Sequence, residues 1–185
     1  MMTEISLNVL DVAENSVRAN ASLIEISVGV DRGRDLLEIT IKDNGCGMTE
    51  EQLEHVQDPF FTTRTTRKVG LGIPFYKEAA VSAGGEFRIE SKVGEGTSVY
   101  ASFQLSNIDR MPLGDIVSTI HTLVVYHEEI DFLYRYTFDG EETVMDTREF
   151  REVLGGISFK EKEVSDYIME YLKEQKFSVD NGVNI

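Results

Sequence analysis

The chain has 185 residues, an apolar fraction of 41% and one cysteine, Cys46, so it can bury a proper core and has no disulfide framework or cysteine-rich metal site. Its 18 basic and 33 acidic side chains give a net charge of −15, which argues against nucleic acid or an anionic membrane as the main partner. No stretch approaches the ~18 consecutive apolar residues of a membrane span, and the start, MMTEISLNVLDV, lacks a basic leader with an apolar run, so the expected location is cytoplasmic.

Residues 5–20 read as a helix. Asn8, Asp11, Asn15 and Arg18 recur at spacings of three and four, which places amide, carboxylate and guanidinium on one stripe suited to a metal ion and phosphates. Leu7, Leu10, Ala13 and Val17 form a neighbouring apolar face. Strands follow at 23–30 and 36–42, joined by the polar turn DRGR. Leu37, Ile39 and Ile41 share one face of the second strand, and Asp43 falls on the same parity, so its carboxylate points inward. Such a carboxylate is costly unless an amide, a water or a ligand's donor group satisfies it. Gly45 and Gly47 come next and let the backbone turn tightly and a flat ligand approach.

Thr49 and Gln52 form a capping box for a short helix through Val56. Residues 58–69 have no strong period and read as a loop anchored by Phe60 and Phe61. It carries a basic island, Arg64, Arg67 and Lys68, in an acidic chain. Gly70, Leu71 and Gly72 then open a helix whose start suits phosphate, with Pro74 in its first turn and Phe75, Ala79 and Ala83 on one stripe. Gly84 and Gly85 end it. Strands are expected around Phe87 and Ile89 and over 97–105, where Thr97 shares the inward parity of Val99, Ala101 and Phe103.

A boundary falls at 106–112, before a segment that carries the larger share of the charge, −9 against −6 for residues 1–106. Leu113, Ile116, Val117, Ile120, Leu123 and Val124 mark an amphipathic helix. Residues 130–138 alternate, Asp139-Gly140 is a hairpin signal, and 141–146 return. Asp146 with Glu149, and Ser158 with Glu161, look like helix starts. Val164, Ile168, Tyr171 and Leu172 line the last helix, with a frayed tail expected from Ser178.

Taken together, the Asn-bearing helix, the D-x-G-x-G, the basic loop, the G-x-G before a helix and the G-x-G-T between strands resemble the ATP-binding domain shared by DNA gyrase, Hsp90, histidine kinases and MutL-type repair proteins. Residues 10–19 (LDVAENSVRA) are similar to its N box and 43–48 (DNGCGM) to its G1 box. Residues 58–64 (DPFFTTR) resemble the segment before the nucleotide lid of sensor histidine kinases, 69–73 (VGLGI) the G2 box and 94–98 (GEGTS) the last box. The resemblance covers residues 1–106 and implies an α+β fold: a two-layer α/β sandwich, the Bergerat-type ATP-binding fold. Residues 107–185 are then a hairpin-plus-helices extension serving a partner or regulation. They are similar to parts of stand-alone ATP-binding proteins of anaerobic bacteria, some of them associated with iron-only hydrogenase genes.

The resemblance also implies roles. Asn15 would ligate Mg²⁺ and Arg18 would touch phosphate. Asp43 would accept from the adenine amine, assisted by the Thr97 hydroxyl. Gly45 and Gly47 would admit the base. Gly70, Leu71 and Gly72 would present amides to phosphate, and Arg64, Arg67 and Lys68 are lid candidates for the γ-phosphate. Asp11 stands where the hydrolysing relatives have a glutamate base, one methylene longer. The ligands are ATP or ADP with Mg²⁺. The activity is slow ATP hydrolysis or phosphoryl transfer to a protein serine, as in anti-sigma-factor kinases; alternatively, a non-catalytic ATP-dependent switch for a protein partner. His55, His121 and His127 read as surface or satisfied histidines. Homodimer pairing through the edges of the 130–146 hairpin is a further alternative.

Overall fold

The computed structural model describes residues 2–58 and 71–185. Helix α1 (Ile5–Arg18) leads into the hairpin β1 (Leu23–Asp31) and β2 (Leu36–Asp43), then α2 (Glu50–Val56), α3 (Gly72–Ser82) and the hairpin β3 (Phe87–Lys92) and β4 (Gly96–Gln104). Next come α4 (Ile116–Tyr126), the hairpin β5 (Asp131–Phe138) and β6 (Glu141–Asp146), α5 (Thr147–Leu154) and α6 (Lys162–Asp180). The strands form one six-stranded sheet in the order β3-β4-β2-β1-β5-β6. Every pairing is antiparallel except β1 with β5.

The alternation in the strands decides which side is covered. Ile24, Ile26, Val28 and Val30 of β1 lie in register with Asp43, Ile41, Ile39 and Leu37 of β2 and with Phe132, Tyr134, Tyr136 and Phe138 of β5. All are buried on one face under α1, α3, α4 and α6. The opposite face carries half-exposed polar groups such as Glu25, Ser27, Glu38 and Thr40. This is the two-layer α+β sandwich expected, with burial of each branched aliphatic side chain contributing about 1.5–3 kcal/mol.

The segment after residue 107 builds onto the same sheet. β5 lies parallel beside β1, so only β6 of that hairpin presents a free edge. Local periodicity in a sequence carries no trace of such a pairing across about a hundred residues.

Several local expectations shift. In α1 the sheet-facing residues are Ile5, Val9, Val12, Ala13 and Ser16; Leu7 is 40% exposed, and Leu10 and Val17 pack only at the margin. The sheet takes one phase of the helix and α4 the other, so two apolar stripes compete in the pattern. In α3 the core takes Ile73, Tyr76 and Ala80, while Phe75 is 40% exposed. The Tyr76 ring packs 6.0 Å from Phe87 and 5.9 Å from Phe103.

The capping box at Thr49 and Gln52 is formed, and Asp146 caps α5 by accepting from the Arg148 amide. Ser158 does not cap α6. Its hydroxyl donates to Glu128 (2.7 Å), and α6 begins at Lys162. The tail is not frayed: α6 continues to Asp180, and both Val179 and Asp180 are buried. Asp180 accepts from the Tyr136 hydroxyl (2.9 Å), the Gly182 amide (2.9 Å) and the Lys176 ammonium, which explains why a charged residue closes this helix inside.

Candidate nucleotide site

Asp43 ends β2 on its buried parity and is 7% exposed. Three donors from three elements satisfy its carboxylate. Oδ2 accepts from the Ser16 hydroxyl at 2.5 Å, and Oδ1 from the amides of Gly45 (2.9 Å) and Thr97 (3.2 Å). The group is therefore fixed in place, its oxygens turned to donors, at a strand end. Ser16 escaped the sequence reading because it was sorted by neither stripe of α1. The signal was available in its position, next to Asn15 and four residues after Val12 on the sheet-facing side.

Thr97 pairs with Asp43 across β2 and β4, as their shared parity required. Its link to the carboxylate is the backbone amide; its hydroxyl lies 2.8 Å from the Ser91 hydroxyl, which also accepts from the Met48 amide (2.9 Å). The turn after Asp43 is tied down on both sides. Asn44 Oδ1 accepts from the amides of Ser22 (2.9 Å) and Leu23 (3.0 Å), and the Cys46 amide donates to Ala19 (2.9 Å). Gly45 and Gly47 are required by the chain itself. A Cβ at Gly45 would stand 2.8 Å from Ala19, and one at Gly47, where φ is +66°, 2.0 Å from the Lys92 carbonyl oxygen. They let β2, the end of α1 and the β3–β4 turn close around Asp43.

The polar stripe of α1 faces α3. Asn8 is fully buried, with neither side-chain polar atom hydrogen-bonded. Asp11 reaches the first turn of α3, and a Cβ at Gly72 would stand 2.5 Å from its Oδ2. That start has Leu71 at the N-cap and no side-chain cap, and the Asp11 carboxylate lies beside its first residue. Asn15 Oδ1 accepts from Arg18 Nη1 at 3.0 Å, which brings amide and guanidinium together on the exposed side of the stripe. Glu14 turns away from this stripe, and its carboxylate lies 2.8 Å from His127 Nε2 on the far side of α1. His121 is likewise held, with Nε2 3.0 Å from the Ser165 carbonyl oxygen.

α1 thus carries Asp11, Asn15 and Arg18, with Asp11 at the Leu71–Gly72 start of α3, while Gly45 and Thr97 meet the Asp43 carboxylate and Gly47 closes on Lys92. Arg64, Arg67, Lys68 and Gly70 lie outside the described residues. Among the described residues no cluster of three or more His, Cys, Asp or Glu side chains could hold a metal. The side-chain oxygen suited to a hard cation is that of Asn15.

Residues 3–107 match the family model described as histidine kinase-, DNA gyrase B- and HSP90-like ATPase. That is more than half of the chain. The chain belongs to this family. Among curated relatives, a sensor histidine kinase, YkoH, of Bacillus subtilis is 32% identical over 99 residues, covering 51% of this chain and 21% of that protein. Sporulation kinase D of the same organism is 31% identical over 100 residues, covering 53% of this chain and 19% of its own. The chain therefore spans about a fifth of the length of these relatives. The solved MutL ATPase domain of Aquifex aeolicus, complexed with ADP, aligns with a TM-score of 0.51 and 17% identity over 84% of this chain and 70% of its own. This similarity extends the shared fold beyond residue 107. No described helix is long and apolar enough to cross a membrane.

Proposed function

We propose that this member of the ATPase family binds Mg-ATP between α1, the end of β2 and the start of α3, and that it hydrolyses ATP slowly or transfers its phosphoryl group to a protein serine. The observation that carries the reading is the Asp43 carboxylate. It is buried and fixed by three donors, so it can face only a ligand edge that donates, such as the exocyclic amine of adenine. Asn15 would hold Mg²⁺. When bound, the cation supplies charge neutralisation for the phosphates.

Asp11 is the group placed to take a proton from a water or a hydroxyl. Its side chain is shorter than the glutamate of the hydrolysing relatives, but the glycine start of α3 comes close enough to meet it. A positioned base contributes roughly 100-fold or more to a rate. We expect Asp11→Asn to lower ATP turnover by about that factor while titration calorimetry shows nucleotide binding retained. Unchanged turnover in Asp11→Asn would remove the base assignment.

A second reading, a non-catalytic ATP-dependent switch for a protein partner, is supported by the bond between Glu14 and His127. Glu14 is the neighbour of Asn15, and His127 closes α4, so the nucleotide helix is tied to the segment after residue 107. A switch predicts that protease cleavage of residues 107–185 differs between ATP and ADP. Equal cleavage patterns would remove it.

A further inference from the structure

Exposed apolar side chains lie on α5 and α6, the helices packed on β5 and β6. On α5 Val153 is 86% exposed, and Tyr167 on α6 is 57% exposed. Between them Phe150 stacks edge-on against Tyr171 (5.1 Å) and Tyr167 (6.2 Å), so one aromatic ridge joins the two helices. Exposed apolar side chains are ordinary when scattered; a contiguous group that bridges two elements marks an interaction surface.

Helical spacing surrounds this ridge with acid. Glu149 stands four residues before Val153, and Glu163 four before Tyr167; Glu170 and Glu174 follow on the same side of α6. All four are exposed. Burial first, and then the Glu149 charge, push the Tyr171 phenol pKa upward. Glu170 pairs with Lys173 at 3.4 Å, whereas Glu149, Glu163 and Glu174 form no ion pair among the described residues. Their charge is unmet.

We propose that the α5–α6 ridge docks a short, basic, amphipathic helix of a partner protein. Its apolar positions at i, i+3/i+4 and i+7 would sit on Val153, Tyr167 and the edge of Phe150, while its lysines or arginines meet Glu149, Glu163 and Glu174. Complementarity of charge selects this occupant. A second copy of the chain carries a net charge of −15 and the same acidic rim, and nucleic acid or an anionic membrane is repelled. A ridge carried by two helices suits a single segment rather than the ~800 Å² per partner of a stable globular interface. This inference does not use the nucleotide reading: α5 and α6 pack on β5 and β6, whereas Asp43 lies on β2.

The test titrates the full chain at physiological salt with a helical leucine–lysine peptide of that spacing, followed by backbone amide shifts. A counterpart peptide with glutamate for lysine serves as the comparison. The expected result is saturable binding of the basic peptide alone, with shifts confined to α5 and α6. The double variant Val153→Ser, Tyr167→Ser, which changes only exposed side chains, should bind about tenfold more weakly. Glu78→Gln with Glu90→Gln, on α3 and β3, should bind as the wild type does. Equal binding by the ridge variant, shifts scattered over the acidic surface or no saturable binding would each overturn the proposal. So would a dimer of the free chain that dissociates in the ridge variant.

Discussion

The two buried aspartates, Asp43 at the end of β2 and Asp180 at the end of α6, solve the same problem differently. Each is a carboxylate taken out of water, and each collects three donors. At Asp180 the donors include an opposite charge, Lys176, and a phenol, Tyr136, both with side chains packed against the site they close. The residue is 1% exposed and every interaction is internal, so it clasps the end of α6 to β5. At Asp43 the donors are a hydroxyl and two amides, with no ion partner. That carboxylate stands at a strand end among glycines. Neutral donors hold a carboxylate in place without cancelling it, which leaves it able to recognise something else; an ammonium commits it to the fold.

The contrast can be broken at either end, and the largest effect belongs to the clasp. Asp180→Ala would leave Lys176 and the Tyr136 hydroxyl without their acceptor. Removing one partner of a buried pair costs about 3–5 kcal/mol. Denaturant unfolding should show a loss of that size, with ATP affinity of the folded fraction unchanged. A loss under about 1 kcal/mol, the range of a surface pair, would mean Asp180 is not a clasp.

At the other end, Ser16→Ala removes one neutral donor from Asp43. Stability should fall by about 1 kcal/mol and nucleotide affinity by roughly fivefold, because the carboxylate loses one of its fixed contacts. Stability and affinity falling together separates a group that orients the site from one that only packs. An unchanged affinity would show that Gly45 and Thr97 suffice to orient Asp43.

The smallest effect concerns pH. The Ser158 hydroxyl, aided by the Phe159 amide, holds the Glu128 carboxyl below its ordinary 4.5. A depressed carboxyl contributes stability that is present above its ordinary range and lost as pH falls through the folded value. Ser158→Ala should therefore lower the melting temperature slightly at neutral pH and not at all in acid, where Glu128 is protonated in both states. An equal loss at both pH values would make the contact one of packing only.

Sequence reading reached the parts governed by local rules. The parity of Asp43 and Thr97, the Thr49 capping box and the Asp139-Gly140 hairpin are each decided within a few residues, and each stands in the structure. What escaped depends on distant packing. The apolar phases of α1 and α3 could not be chosen without knowing that α1 has the sheet on one side, α4 on another and α3 on a third. The burial of Asp180 follows from Tyr136 and Lys176, and nothing near Asp180 in the sequence announces Tyr136. Ser16 needed the end of β2 to be placed against α1 before its hydroxyl could be given a partner.

The most direct measurement is isothermal titration of the chain and its Asp43→Asn variant with Mg-ATP, with unfolding midpoints recorded alongside. Asparagine keeps the size of the side chain but loses its charge, and a hydrogen bond to a charged group is worth about 1.5–3 kcal/mol. The account predicts saturable binding by the wild type, weakened about 10- to 100-fold in a variant that still folds. Equal affinity in the two proteins, or no binding by the wild type, would contradict it.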